Sequence, residues 1–274
     1  MIKSISSPVN PLIKQIVLLG EKTKVRKESG TFIVEGKREI LLAIKSGLKV
    51  LTVLFNPSII TYNKLHDWFG NILFEVEMIE VTNQVYHKIA YREGTEGVIA
   101  IFQSRHYVLS ELKFEKKNPL ILVAEATEKP GNIGALMRTS DAAGIDAFII
   151  SNPNTDIYNP NIIRASVGCV FTNRIVSGTT TEIITFLKSE HIKIFCATLT
   201  DGATSLYDHN FTGPTAIVVG TESTGVSQEW IEAADYNIII PMKGLTDSLN
   251  VSVSAAILIY EAVRQRDLIP KSDV

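Results

Sequence analysis

Apolar and polar positions alternate along this chain with two periods, and the periods take turns. Residues 9–28, NPLIKQIVLLGEKTKVRKES, place Leu12, Ile13, Ile16, Val17 and Leu19 at helical spacing. TFIVEG (31–36) is a short apolar run closed by a glycine and predicts a strand. The pattern then gives a helix over 37–47, a strand over 48–56 and a helix over 61–69. At least one strand follows within 71–81, then a helix over 82–91 and a strand over 97–103. A polar stretch, SELKFEKKN (110–118), reads as a linker. The second half repeats the alternation with longer apolar runs. PLILVAEA (119–126) is nearly all apolar, the pattern of a strand buried on both faces of a parallel sheet. Helices over 132–143, 160–167, 181–188, 227–234 and 248–267 alternate with strands over 147–151, 191–199, 215–220 and 237–242. This predicts an α/β fold with a doubly wound sheet in the second half, whose ligand lies beyond the carboxyl ends of the strands.

Composition narrows the class. The 274 residues are 45% hydrophobic and 20% charged, which excludes a disordered, collagenous or disulfide-scaffold chain. No run of 18 apolar residues predicts a membrane-spanning helix, and MIKSISSPVNPLIK lacks the apolar core of a signal peptide. Cys169 and Cys196 are isolated in apolar surroundings and read as buried free thiols, as in a reduced cytoplasm. The five histidines are scattered, so no metal site is expected. The net charge of −2 hides an asymmetry. Residues 1–117 hold 17 lysines and arginines against 12 acids, and residues 118–274 hold 10 against 17. Lys14, Lys22, Lys24, Arg26 and Lys27 crowd the first helical stretch, opposed up to residue 27 only by Glu21. A basic front half on an acidic back half points to a polyanion-binding module joined to something else. The plainer reading is a solvated helix face.

Three strand-to-loop junctions carry candidate chemistry. In EKPGNIGALMRTSDAAG (128–144), Pro130 and Gly131 set a turn, Asn132 reads as a helix N-cap, and Arg138 falls within the first two turns. This suits an anion site, although a capped helix with a surface arginine explains it as simply. In VVGTESTGVS (218–227), a strand ends at Gly220 and a loop with Glu222 and Gly225 follows. No Gly-Lys-Ser/Thr follows and no GxGxxG ends a strand, so nucleotide-triphosphate and dinucleotide binding lack their signatures. In IIIPMKGLTDSLNVSVSAA (238–256), Pro241 ends a strand, and Ser248 and Asn250 sit where the last helix begins. Capping is their ordinary role. No Ser-His-Asp or Cys-His arrangement is readable.

The three junctions, in this order and spacing, closely resemble the three motifs of the SpoU/TrmH family. These are RNA ribose 2′-O-methyltransferases of the SPOUT superfamily, dependent on S-adenosylmethionine. The matching pieces are PGNIGALMRTSDAAG, IVVGTESTG and IPMKGLTDSLNVSVSAAILIYEAVRQ, the last being the most specific. The resemblance covers roughly 119–266. More loosely, SSPVNPLIKQIVLLGEKTKVRKESGTFIVEGKREI is similar to the ribosomal-protein-like substrate-binding domain of rRNA-directed members. The first motif is also similar to that of thiostrepton-resistance rRNA methyltransferases. Lys129 stands where many members have Asp, and Glu96 where Gln is usual.

The resemblance implies a substrate-binding domain over 1–105, a linker over 106–118 and a SPOUT domain over 119–274 with a deep trefoil knot. It implies a homodimer through that domain and an RNA substrate, rRNA rather than tRNA. It also implies catalytic roles for Arg138, Asn132, Glu222, Ser248 and Asn250. Arg138 matches the family's catalytic arginine. The backbone around Leu199, Gly220, Ile240, Met242 and Leu249 would hold the cofactor, and Lys14, Lys22, Lys24, Arg26 and Lys27 would meet RNA. No metal or membrane is implied. The competing readings are a tRNA-directed enzyme and a non-catalytic RNA-binding assembly factor.

Overall fold

The computed structural model describes residues 2–91, 96–221 and 224–267. The chain divides into two compact units, one formed by 1–105 with 156–172, the other by 106–155 with 173–274. Among the described residues no helix is long and apolar enough to cross a membrane.

In the first unit the order is β1 (Lys3–Ile5), α1 (Pro11–Glu21), α2 (Thr23–Ser29), β2 (Thr31–Glu35), α3 (Lys37–Lys45), β3 (Val50–Phe55), α4 (Tyr62–Phe69), β4 (Glu77–Val81), α5 (Asn83–Ile89) and β5 (Val98–Gln103). The sheet runs β1-β4-β3-β5-β2. β5 is antiparallel to both its neighbours and the other pairs are parallel. The helix expected over 9–28 is two helices. Asn10 caps α1, its Oδ1 accepting the Leu12 N–H at 2.9 Å. Lys22 then adopts extended backbone (φ −115°, ψ 111°) and breaks the run. The fully buried apolar stripe of α1 ends at Leu19, and α2 adds only the partly buried Val25 to the same core. Gly30, at φ 60°, closes α2 in the left-handed conformation that glycine adopts without strain.

Alternation along the strands separates two faces. Ile33, Leu54, Ile79 and Ile101 pack with Ile13, Ile16 and Leu19 of α1 and with α5. Phe32 and Phe102 stack on the other face, where Phe32 also meets Tyr158 (ring centroids 4.0 Å apart) and Phe171 (6.0 Å). Residues 156–172, which include the short helix at Pro160–Ala165, therefore complete the core of the first unit although they follow a strand of the second.

The second unit contains β6 (Leu120–Glu125), α6 (Pro130–Ala143), β7 (Ala147–Ser151), then, with α7 assigned to the Pro160–Ala165 helix, β8 (Ile175–Gly178), α8 (Thr180–Ser189) and β9 (Lys193–Ala197). It continues through β10 (Thr204–Ser205), β11 (Thr215–Val219), α9 (Gln228–Ala233), β12 (Tyr236–Ile239) and α10 (Val251–Asp267). Seven parallel strands are ordered β10-β12-β9-β11-β6-β7-β8. β6, β7 and β11 are buried at every position, as strands covered on both faces must be. From β6 the chain winds one way through β7 and β8, then returns to the other side at β9. The order reverses between β6 and β11, and doubly wound sheets bind ligands beyond the carboxyl ends near such a reversal. The stretch expected as a linker is packed: Leu112 is buried in this core, with Leu109 and Phe114 against it.

Two expected boundaries move. Asn132 does not cap α6: Lys129 holds that position, Pro130 fills the first helical one, and Asn132 lies inside the first turn. Proline suits that place because it has no N–H to satisfy. The last helix starts at Val251 rather than 248.

Candidate active site

A cleft of about 840 Å³ opens at the carboxyl ends of β9, β11 and β12. Its wall includes Leu199, Gly220, Ile240, Met242 and Leu249, together with Thr198, Thr200, Asp247, Ser248 and Asn250. The turn after β11 closes on itself, with Thr221 and Gly225 exchanging backbone hydrogen bonds of 3.0 and 3.1 Å. This closure is what demands Gly220. A Cβ there would sit 2.0 Å from the Gly225 carbonyl oxygen. Glu222 lies outside the described residues.

The third junction meets the first. Asn250 caps α10: its Oδ1 accepts from the Ser252 N–H (3.0 Å) and hydroxyl (2.6 Å), and its carbonyl accepts from Val253 and Ser254. Its Nδ2 donates to Asn132 Oδ1 at 3.3 Å, tying the start of α10 to the first turn of α6. The Ser248 hydroxyl donates to Asp247 at 3.0 Å. Capping and site chemistry are thus not alternatives at Asn250, since one side chain does both. Arg138 projects from α6 beside the buried face made by Ile133, Leu136 and Met137. Its side chain is exposed and forms no hydrogen bond or ion pair among the described residues. It does not line the cleft.

One buried carboxylate was invisible in the motifs. Glu125 ends β6 at the point where the strand order reverses and is 4% exposed. It accepts from the Ser227 N–H and hydroxyl, both at 2.7 Å, and from the Thr180 hydroxyl at 3.2 Å. Thr180 in turn accepts from Asn152 at 2.9 Å and meets Ser151 at 2.8 Å. Glu125 therefore fixes the chain just past the Gly220–Gly225 turn and holds the cleft wall in place. Its one signal in the sequence is an acid ending an otherwise apolar strand. Cys196, one residue from the cleft wall, is pushed up to about 12, first by burial and then by the Glu125 charge. It is a protonated thiol at neutral pH, which removes it as a nucleophile.

In the first unit Lys14, Lys22, Lys24 and Lys27 are exposed. Arg26 is not available to RNA, which corrects the sequence expectation. It is 4% exposed, and its Nε donates to Asp156 at 2.5 Å. Its guanidinium also donates to the Leu19 carbonyl (2.7 Å) and the Thr23 hydroxyl (2.9 Å). The turn at Lys22 rotates this one cation of the basic run into the interior.

The SpoU rRNA Methylase family profile matches residues 119–260, and the MRM3-like substrate binding domain profile matches residues 10–100. The chain belongs to the SpoU rRNA methylase family. Among its relatives, the 23S rRNA (uridine(2479)-2′-O)-methyltransferase of Streptomyces viridochromogenes is 30% identical, over 91% of this chain and 88% of that one. The tRNA (guanosine(18)-2′-O)-methyltransferase of Escherichia coli is 33% identical over 60% of this chain and 71% of its own. The structure of an AdoMet-bound rRNA methyltransferase from Sinorhizobium meliloti superposes with a TM-score of 0.86 at 26% identity, covering 96% of this chain and 98% of that one. The three junctions at the ends of the parallel strands fall within the matched residues 119–260.

Proposed function

We propose that this protein transfers a methyl group from S-adenosylmethionine to a ribose 2′-hydroxyl of structured RNA, with 23S rRNA as the substrate. One observation carries the reading. The cleft at the carboxyl ends is lined by all five residues that the family resemblance assigns to the cofactor, and by Ser248 and Asn250. The cleft also fits the group. Ligands of this size occupy clefts of about 300–1,000 Å³ lined by apolar side chains and a few polar groups. Leu199, Ile240, Met242 and Leu249 offer apolar surface, Gly220 lets backbone approach closely, and Asp247 offers a carboxylate to a cationic ligand. When bound, S-adenosylmethionine supplies an electrophilic methyl on a sulfonium.

The chain's own residues do the rest. A ribose hydroxyl is a weak nucleophile at neutral pH and must be held about 3–3.5 Å from the carbon it attacks. A guanidinium offers N–H donors and no acceptor, so Arg138 serves as a donor rather than as the base. Its free guanidinium clamps a phosphate of the target and stabilises negative charge growing on the attacking oxygen. Asn132 and Asn250 hold each other and orient the ribose, with Ser248 beside them on the cleft wall; to Glu222 we assign only the catalytic role that the family resemblance implies. Exposed Leu245, Leu249, Val253 and Tyr260 on and before α10 suit a second copy of the chain. We assign to this unit the homodimer and the trefoil knot that the family resemblance implies, and to the protein a cytoplasmic location.

The match of residues 10–100 to a substrate-binding domain supports rRNA, as does the longer coverage by the 23S-directed relative. The test is incubation with tritiated-methyl S-adenosylmethionine and separate 23S rRNA and tRNA transcripts. Label in 23S rRNA at one alkali-resistant linkage is expected. Label in tRNA alone would move the substrate and leave the chemistry standing; label in neither would overturn the reading.

A further inference from the structure

The basic run on α1 and α2 is the obvious RNA candidate of the first unit, and it loses its arginine to the interior. A different cluster in that unit combines charge with an aromatic face. Trp68 lies one turn after Lys64 on α4. The Lys64 Nζ is 5.7 Å from the indole centroid, and the Lys37 Nζ, from the first residue of α3, is 4.7 Å from it. Neither ammonium forms an ion pair among the described residues; the carboxylate near Lys37, that of Glu96, is taken by its backbone N–H at 2.5 Å. Trp68 is half-buried, while Leu65 and Phe69 make the core contacts of α4. Beyond the helix, Phe74 is 68% exposed and meets His66 edge-on at 5.4 Å.

Packing accounts for only part of this group: Trp68 meets the buried Phe69 edge-on with ring centroids 6.1 Å apart, while α4 is anchored by Leu65 and Phe69. Two unpaired ammoniums over an accessible indole match the needs of unpaired RNA. Bases splayed out of a helix stack on aromatic rings, and their flanking phosphates take lysines. We propose that Trp68, Lys37 and Lys64 form a stacking platform for an unpaired nucleotide of the RNA substrate. Trp68 takes the base, the two lysines swing from the ring onto the adjacent phosphates, and Phe74 extends the aromatic surface. The proposal rests on the reading that the first unit binds RNA.

The chain carries its own reporter. Its two tryptophans are Trp68 and Trp230, and Trp230 is fully buried in the core of the second unit. Titration of the full chain with a 23S rRNA transcript should quench indole emission, and Trp68→Phe should abolish the change. By filter binding, Trp68→Ala should weaken affinity about 5- to 150-fold, the range for loss of one stacked base. Trp68→Phe should retain most of the affinity, and its thermal melt guards against misfolding as the cause. Joint Lys37→Ala and Lys64→Ala should lower the slope of log affinity against log salt by about 1.4–1.8, as for two phosphates. Affinity for S-adenosylmethionine by calorimetry should not move. RNA binding by the wild type with unchanged emission, and equal affinity in Trp68→Ala, would overturn the platform and leave the methyltransferase reading intact. A wild type that neither binds nor methylates 23S rRNA or tRNA would overturn both.

Discussion

Arg26 and Arg138 sit on short-range patterns that look alike, a cation on the polar side of an amphipathic helix, yet their surroundings are opposite. Around α2, the guanidinium of Arg26 is enclosed, paired with Asp156 and bonded to a carbonyl and a hydroxyl. On α6, the guanidinium of Arg138 is exposed and makes no such bond. An arginine that is buried and whose three nitrogens all donate at rest has little left to give a substrate. An exposed arginine with no hydrogen bond or ion pair contributes little to the fold and has its fork available to a ligand. The first unit uses its arginine as structure, and the proposed reaction gives the exposed one of the second unit its work.

The comparison breaks most visibly if Arg26 is removed. Arg26→Ala leaves Asp156 buried without its partner, which costs about 3–5 kcal/mol. Arg26→Lys should recover only part, since one ammonium cannot replace the fork that reaches Asp156, Leu19 and Thr23 together. Urea unfolding followed by circular dichroism measures this. A stability loss below about 1 kcal/mol would show that Arg26 is a solvated surface cation after all.

Arg138→Ala should behave in reverse. Turnover should fall about 100- to 1,000-fold, the cost of one transition-state donor, while the urea midpoint and the affinity for S-adenosylmethionine stay within error. Arg138→Lys should not rescue it. Single-turnover methyl transfer to 23S rRNA with saturating enzyme separates the chemical step from RNA binding. Near-normal rates in either variant would remove Arg138 from the reaction.

Much of this contrast was beyond a reading of the sequence, and the reasons are physical. Long apolar runs such as 119–126 declare buried parallel strands, and the three polar junctions fall where such strands end, so the second sheet and the cleft wall were legible. The short β1, β8 and β10 carry too few apolar positions to declare themselves, being edge strands paired on one side. Asn132 looked like a cap because it precedes an apolar run, but Pro130 can open the helix two residues earlier. Residues 156–172 read as part of the second half because chain order carries no record of which core Tyr158 and Phe171 complete. Arg26 was misread for a related cause. Its charge is local, whereas its partner is 130 residues away.

The remaining lysines of the basic run test the comparison at its weakest point. Lys22, Lys24 and Lys27 are exposed, and among the described residues only Lys24 pairs with a carboxylate, Glu28 at 3.8 Å. Such an exposed pair contributes little to stability, on the order of 0.3–0.5 kcal/mol. Replacing all three by Ala should therefore leave the urea midpoint almost unmoved, in contrast to Arg26→Ala. Each lysine that meets a phosphate displaces a counterion, so the salt slope of 23S rRNA binding should shrink by up to about 3, with a modest loss of affinity at physiological salt. Binding of S-adenosylmethionine should not change. An unchanged salt slope in the triple variant, beside a reduced one in the Lys37 and Lys64 double variant, would assign the RNA surface of the first unit to α3 and α4 alone. The run on α1 and α2 would then be a solvated helix face whose one working cation is the buried Arg26.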